Sequence, residues 1–178
     1  NTALISLDCH YTSLTSLDVS SNTALTYLYC YSNSLTSLDV SANTALTHLY
    51  CYQSQLTSLD VSSNTALTRL QCHTNQLTSL DVSSNTALSQ LWCNNNNLTS
   101  LDVSNNTGLN TLQCQENELT YLNMKNGITD QFPLNYSATG NSLTCIETLD
   151  PVYATANWSN MIDVGVTFDV ICGAAART

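Results

Sequence analysis

The chain has 178 residues and a formal net charge of −10, and its only Lys and Arg residues are Arg69, Lys125 and Arg177. Nucleic acids and anionic membrane surfaces are bound through clustered Lys and Arg that contact phosphate groups, so this composition excludes both as partners. No apolar run is long enough for a transmembrane helix, and the sequence predicts no direct membrane insertion.

The first 126 residues consist of six copies of a 21-residue unit, of which the second reads NTALTYLYCYSNSLTSLDVSA. The copies begin at Asn1, Asn22, Asn43, Asn64, Asn85 and Asn106. A fixed period of this kind indicates a solenoid, in which each unit buries its apolar stripe only against its neighbours. In the second copy the regularly spaced positions are Leu25, Leu28, Cys30, Asn33, Leu35, Leu38 and Val40.

The spacing Leu-x-x-Leu-x-Cys-x-x-Asn-x-Leu-x-x-Leu-Asp-Val is the leucine-rich repeat pattern. The chain resembles the short class of these repeats called IRREKO, whose members are found in many bacterial surface and secreted proteins. The resemblance rests on six tandem matches within residues 1–126. It implies a leucine-rich repeat solenoid in a secreted or cell-surface protein.

Alternation of side chains in the first half of each copy predicts a short strand. In Leu28-Tyr29-Cys30 the outer two residues face inward and Tyr29 faces outward. The coil is too short to contain a helix. We therefore expect a β-rich fold of six stacked coils. It has a parallel sheet along the first halves, a short second strand or extended segment opposite, and an irregular C-terminal cap. The amides of the Asn that opens each copy should bond the backbone of neighbouring coils.

The eight cysteines fall into two groups. One group recurs with the period and should point into the core as free thiols, with metal binding as the alternative. The other group, Cys145 and Cys172, lies outside the period, and a disulfide between these two would imply an oxidising compartment. The periodic cysteines are Cys9, Cys30, Cys51, Cys72, Cys93 and Cys114.

The repeat decays after Asn126, and residues 127–178 form the predicted capping segment, with Pro133, Pro151 and Trp158. A solenoid requires a distinct terminal unit to cover the apolar face of its last coil. This segment is similar to the caps that close such repeats in secreted proteins of the Bacteroidetes. No comparable cap precedes Asn1, so we expect more repeats or another domain upstream in the full-length protein.

The outward positions in the first half of the copies vary freely and are rich in aromatic residues. They form three columns, which begin at Ser6, Asp8 and His10 and repeat every 21 residues. Tyr, Trp and Arg dominate recognition hot spots, although aromatic residues also suit exposed strands for structural reasons alone. The predicted ligand-binding residues are Tyr27, Tyr29, Tyr31, His48, Tyr50, Tyr52, Arg69, His73 and Trp92.

The outward positions in the second half hardly change, and they give a column of Ser and a column of Asp. Neighbouring carboxylates at strand spacing should repel each other. Hydrogen bonds to local backbone and Ser hydroxyls are the structural explanation for this column. Calcium bound between Asp39, Asp60 and Asp81 is a lower-weight alternative.

No nucleophile, base and orienting group are arranged for catalysis, and no phosphate-cradling Gly loop is present, so we predict neither an enzyme nor a cofactor. The leading hypothesis is a non-catalytic extracellular recognition or adhesion module that binds a protein or a glycan through the variable face. The first alternative is a structural spacer or stalk within a larger surface protein. A lower-weight alternative is a solenoid that orders water or ice on its Ser and Asp face.

Overall fold

The computed structural model describes residues 1–127 and 135–173, so the predicted cap residues Pro133 and Arg177 lie outside the described residues. Three-residue strands recur along the chain, and in the described part a single short α-helix lies between the last two strands. In chain order the strands are β1 (Ser6–Asp8), β2 (Tyr27–Tyr29), β3 (His48–Tyr50), β4 (Arg69–Gln71), β5 (Gln90–Trp92), β6 (Ser100–Asp102), β7 (Thr111–Gln113), β8 (Tyr121–Asn123), β9 (Asn135–Ser137), β10 (Cys145–Glu147) and β11 (Thr167–Asp169).

The first halves of the coils form a seven-stranded parallel sheet in the order β1-β2-β3-β4-β5-β7-β9. From β1 to β7 the register places residues one repeat apart side by side: Leu28 pairs with Leu49, and Leu70 pairs with Leu91. These four Leu side chains are fully buried. The predicted solenoid, with its inward Leu column in register, is therefore confirmed.

The second halves of the coils are extended in the early coils and form strands only in the later ones. Strands β6, β8, β10 and β11 make a four-stranded parallel sheet in the order β11-β10-β8-β6. Both forms that the sequence left open for this side, a short strand and an extended segment, occur in the same molecule.

Asparagines that open the coils tie each coil to its predecessor. Asn64 is fully buried, and its Nδ2 donates to the carbonyl of Val40 at 3.0 Å and to that of Asn43 at 2.9 Å. Asn85 repeats the pair of bonds with Val61 and Asn64. Since buried backbone carbonyls need donors, this column stabilises the stacking of coils, as the sequence predicted.

The C-terminal segment is more ordered than the sequence suggested, because the stacking continues into a seventh coil. Strand β9 pairs with β7, which places Tyr136 beside Leu112. Asn141 donates from Nδ2 to the carbonyls of Cys114 at 3.1 Å and Ala138 at 2.9 Å. Asn117 makes the same two bonds one coil earlier, to Cys93 and Cys114.

Helix α1 (Pro151–Trp158) closes the solenoid and is followed by a short 3-10 helix, Ser159–Met161. Asp150 caps the helix by accepting from the Tyr153 amide at 2.9 Å, and Pro151 begins it. Trp158 is buried edge-on against Tyr136 and Phe168. Cys145 and Cys172 form the predicted disulfide, with their Cα atoms 5.7 Å apart.

Candidate recognition face

The outward side chains of the first sheet bring all nine predicted ligand-binding residues onto one surface, which we call the aromatic face. Strand pairing sets Tyr27 beside His48 and Tyr29 beside Tyr50, and the next pairs add Arg69, Gln71 and Trp92 in register. Apart from the exposed Arg69, these side chains are half-buried. The face consists of Tyr27, Tyr29, Tyr31, His48, Tyr50, Tyr52, Arg69, His73 and Trp92.

The column that follows the Cys positions forms a continuous stack of rings. His10 and Tyr31 lie 4.6 Å apart between ring centroids and 8° from parallel. Tyr31 and Tyr52 lie 4.4 Å apart, as do Tyr52 and His73, with 10° and 13° between their planes. Each inner ring is covered on both faces by its neighbours, so this column presents ring edges and hydroxyl groups to solvent.

His10 belongs to this stack, although it was not among the predicted binding residues. Its position in the third outward column, one repeat before Tyr31, was the sequence signal for it. Its Nδ1 also pairs with the Asp8 carboxylate. His10 therefore holds one end of the stack in place.

The two other columns are aromatic at the N-terminal end of the sheet and amide-rich further along. Tyr29 and Tyr50 lie 5.0 Å apart with a tilt of 37°, and Tyr27 and His48 lie 4.8 Å apart with the same tilt. Trp92 has no ring contact among the described residues, because its partners in register are Gln71 and Gln113. The Gln113 amide is bonded away from Trp92, to Asn135 Oδ1 at 2.9 Å.

Charge is distributed unequally between the two sides of the coil. The three outward columns contain no Asp or Glu from Tyr27 to Gln115, whereas the chain has 13 acidic residues in total. The ion pairs in the described part of the chain are His10 with Asp8 and Lys125 with Glu147, so Arg69 has no carboxylate partner there. Arg69 is an exposed cation on an otherwise neutral face of an acidic protein.

Titration of the face depends on burial. Burial, and then the nearby Arg69 guanidinium, lower the pKa of His48, and burial lowers the pKa of His73. Both imidazoles are therefore neutral at pH 7. Burial, and then the neighbouring Tyr31, raise the pKa of Tyr52 to about 12, so its phenol stays protonated.

The Asp column on the opposite side is held by local hydrogen bonds. Asp39 Oδ1 accepts from the Ser41 amide at 2.9 Å, and Asp60 accepts from Ser62 at the same distance. Hydrogen bonds from the Ser41 hydroxyl and amide lower the pKa of Asp39, and they outweigh the opposing effect of the neighbouring carboxylates. Like-charge repulsion, which the sequence emphasised, is thus the weaker influence on this column.

The Asp column borders shallow depressions, one of which is lined by Asp39 and Asp60 together with the neighbouring Ser37 and Ser58. Within residues 1–127 and 135–173, no three His, Cys, Asp or Glu side chains are gathered in a way that would hold a metal ion. Calcium at Asp39, Asp60 and Asp81 stays a prediction of the sequence.

The cysteine column is buried in the core as predicted, apart from Cys9, which is partly exposed in the first coil. Burial raises the pKa of the Cys30 thiol strongly and that of Cys114 to about 12. A nucleophilic cysteine needs a thiolate that is accessible, so these protonated side chains act as small apolar residues. No helix in the described part of the chain has the length and apolar character that a membrane crossing requires.

Comparison with known proteins places this architecture among leucine-rich repeats. The family model described as "Leucine Rich repeat" matches residues 10–27. The functional domain of InlJ from Listeria monocytogenes, which includes a cysteine ladder, is 42% identical with a TM-score of 0.76 over 83% of this chain. No curated protein sequence matches the chain.

Two further internalins of Listeria monocytogenes share the fold at lower identity. InlF is 24% identical with a TM-score of 0.73 over 91% of this chain, and InlC2 is 18% identical with a TM-score of 0.57 over 94%. The chain spans 35% of the InlJ chain, 48% of the InlF chain and 82% of the InlC2 chain.

Proposed function

We propose that this leucine-rich repeat solenoid, with coils of about 21 residues and a structure like the repeat domains of Listeria internalins, is a non-catalytic recognition module. It binds an extracellular protein or glycan through the aromatic face. The disulfide between Cys145 and Cys172 supports a secreted or cell-surface location, since such bonds persist in oxidising compartments.

The observation that carries this proposal is the difference between the two sides of one repeating coil. Tyr50 and Trp92 occupy the same variable column, whereas Asp60 and Asp81 occupy one that repeats unchanged. A purely structural repeat has no reason to diversify one side only. Rings already fixed by stacking also lose little conformational freedom when a ligand binds, which favours recognition.

The test compares two variants on protein and glycan arrays. Replacing Tyr29, Tyr50 and Trp92 together by Ala should abolish capture of the ligands that the wild-type protein binds, because truncation of central aromatic anchors typically weakens binding by more than about tenfold each. The matched control, Asp60→Ala with Asp81→Ala, should retain capture. Loss of binding only in the aspartate variant would place the functional face on the other side of the coil.

A spacer or stalk is the second candidate, and the buried Asn column favours it. Bonds such as those from Asn64 and Asn85 to the preceding coils make the stack a stiff rod whether or not a ligand is present. A spacer predicts no array hits, or hits that survive the triple aromatic substitution. Water or ice ordering by the Ser and Asp side is the third candidate, and an ice-recrystallisation assay on this chain tests it directly.

A further inference from the structure

Two neighbouring residues of the aromatic face, Arg69 and Trp92, differ from the other members in their partners among the described residues. Arg69 carries the face's permanent positive charge and has no carboxylate partner in the described part of the chain. Trp92 is the aromatic residue of the face on which no other ring of the described residues stacks. In the described part of the chain, no carboxylate pairs with the guanidinium and no ring stacks on the indole.

The sheet register fixes how far apart these two groups lie. Arg69 pairs with Gln90 on the neighbouring strand, and Trp92 lies two residues further along that strand on the same face. Adjacent strands are about 4.8 Å apart and each residue rises about 3.3 Å, so the two Cα atoms are roughly 8 Å apart on the diagonal. The Arg side chain is long and flexible enough to span this distance, so one ligand on the face can contact both the guanidinium and the indole.

The surroundings of this pair are neutral amides. Gln90 pairs in register with Arg69, and Gln71 pairs with Trp92. Asn94 follows Trp92 in the third column. The side chains of these three residues are half-buried and make no hydrogen bond within the described residues. An amide offers both donors and an acceptor, which suits the hydroxyl groups of a sugar.

We infer that Arg69 and Trp92 form a subsite for a carboxylate-bearing sugar residue of a glycan, with the indole beneath the sugar ring and the guanidinium paired with the carboxylate. This inference rests on the proposed function and names its ligand class. A planar guanidinium matches a carboxylate with two parallel hydrogen bonds, and a carboxylate-free face does not oppose an anionic ligand. Gln71, Gln90 and Asn94 bind the ring hydroxyls.

The stacked column of Tyr31, Tyr52 and His73 does not offer the same chemistry. Its ring faces are covered at centroid distances of 4.4 Å, so a sugar ring cannot lie flat on the inner members. The subsite is therefore confined to the amide-rich part of the face around Trp92. The stacked column bounds it on one side.

The experiment measures binding of four probes to the full chain by ligand-observed NMR and calorimetry. They are 3′-sialyllactose, its methyl ester, lactose, and a glucuronate-containing hyaluronan tetrasaccharide. We expect at least one carboxylated sugar to bind, and we expect neither lactose nor the methyl ester to bind. The two carboxylated probes distinguish a sialic acid from a uronic acid as the source of the carboxylate.

Variants then locate the binding. Arg69→Gln and Trp92→Ala should each lower the affinity for the carboxylated sugar by about tenfold or more. Arg69→Lys should lower it less, because the charge remains although the paired hydrogen bonds are lost. Asp60→Ala on the other side of the coil is the control and should bind as the wild type does. Unfolding midpoints of all four variants establish that the fold is intact.

Three outcomes would overturn the inference: equal binding of sialyllactose and its ester, carboxylated sugars that bind independently of Arg69, or no sugar binding by the wild type. An acidic peptide that binds through Arg69 when no sugar does would assign the guanidinium to a protein ligand instead. If the triple aromatic variant still loses array ligands in these cases, the proposed function stands without the sugar subsite. If it retains them, both proposals fail.

Discussion

Tyr52 and His73 lie face to face, with ring centroids 4.4 Å apart and planes 13° from parallel. On its other side Tyr52 stacks on Tyr31 at the same distance. One phenol ring thus joins coils two, three and four on the outside of the solenoid, where no core packing is available. Such a stack orders the face before any ligand arrives and contributes to the stability of the coils beneath it.

Removing the central ring, Tyr52, should show how much the stack contributes to the stability of the coils. Tyr52→Ala should lower the free energy of unfolding by about 1–3 kcal/mol, since it loses two ring contacts and the area that they bury. Tyr52→Phe keeps both contacts and should unfold like the wild type. Urea unfolding followed by circular dichroism measures both. Equal destabilisation by Phe would show that the hydroxyl, and not the stack, carries the effect.

The lowered pKa values of His48 and His73 predict an acid-sensitive step in stability. An unfolded histidine titrates near pH 6.5, so between that pH and the lower folded pKa values the unfolded chain binds more protons. Stability should be full above about pH 6.5 and fall as the pH is lowered through the folded pKa values. Unfolding free energies measured from pH 7 to pH 5 test this.

The double variant His48→Gln with His73→Gln should flatten this slope. The lowered pKa values of Asp39 and Asp60 belong to a separate window, because carboxylates lose their stabilising bonds only as the pH falls below about 4. A slope between pH 7 and pH 5 that is unchanged in the double variant would contradict the assignment to these two histidines.

Much of this architecture follows from the sequence because the repeat supplies its own alignment. The inward column of Leu28, Leu49 and Leu70 is fixed by a period of 21, and so is the register of the residues between them. The seventh coil was not predicted because Tyr136 and Ala138 replace the usual Leu and Cys. It also begins three residues late, since Leu112 pairs with Tyr136. Its spacing from Tyr136 through Asn141 to Leu143 nevertheless matches the repeat.

The candidate site was only partly predictable. Composition places Tyr52 and Trp92 in one class of aromatic residue, but their surroundings differ. Tyr52 is covered on both faces, whereas Trp92 lies between Gln71 and Gln113. The orientation of these side chains depends on contacts that the repeat pattern does not encode. One example is the hydrogen bond of Gln113 with Asn135, which lies in the coil where the pattern is obscured.

Backbone conformation at the turn after the stacked column gives a third prediction. Thr74 has a φ of +56°, and the corresponding Asn95 has a φ of +54°. Left-handed geometry is costly for a β-branched residue and tolerated by Asn. Thr74→Asn should therefore raise the free energy of unfolding by about 1 kcal/mol. The reciprocal change Asn95→Thr should lower it by a similar amount, and equal signs for the two variants would exclude backbone strain as the cause.

The two classes of cysteine predict a simple thiol count. Denatured, unreduced protein should show six free thiols, with Cys145 and Cys172 unreactive because they are bonded to each other. In the native protein a thiol reagent should reach Cys9 first, since the other five are buried. Eight free thiols in the denatured protein would remove the structural argument for an oxidising compartment. Fewer than six would show that the core column is oxidised or metal-bound.

Asp163 is expected to control the seventh coil, and through it the neighbourhood of Trp92. Its two carboxylate oxygens accept from the amides of Gly140 at 3.0 Å and Asn141 at 3.1 Å. Gly140 has a φ of +67° in this turn. Asp163→Ala leaves two amides without their charged acceptor and should lower the free energy of unfolding by about 1–3 kcal/mol.

Hydrogen exchange should locate this effect in the amides of β9 and the turn at Gly140, because these belong to the coil that Asp163 holds. Loosening of β9 would also release Asn135 and the Gln113 amide bonded to it, so sugar binding at Trp92 should weaken along with the exchange protection. Glu118→Gln, which removes one exposed carboxylate from the preceding turn, is the matched control and should change neither. If both variants have the same effect, the loss of one negative charge, and not the hydrogen bonds of Asp163 to the turn, is responsible.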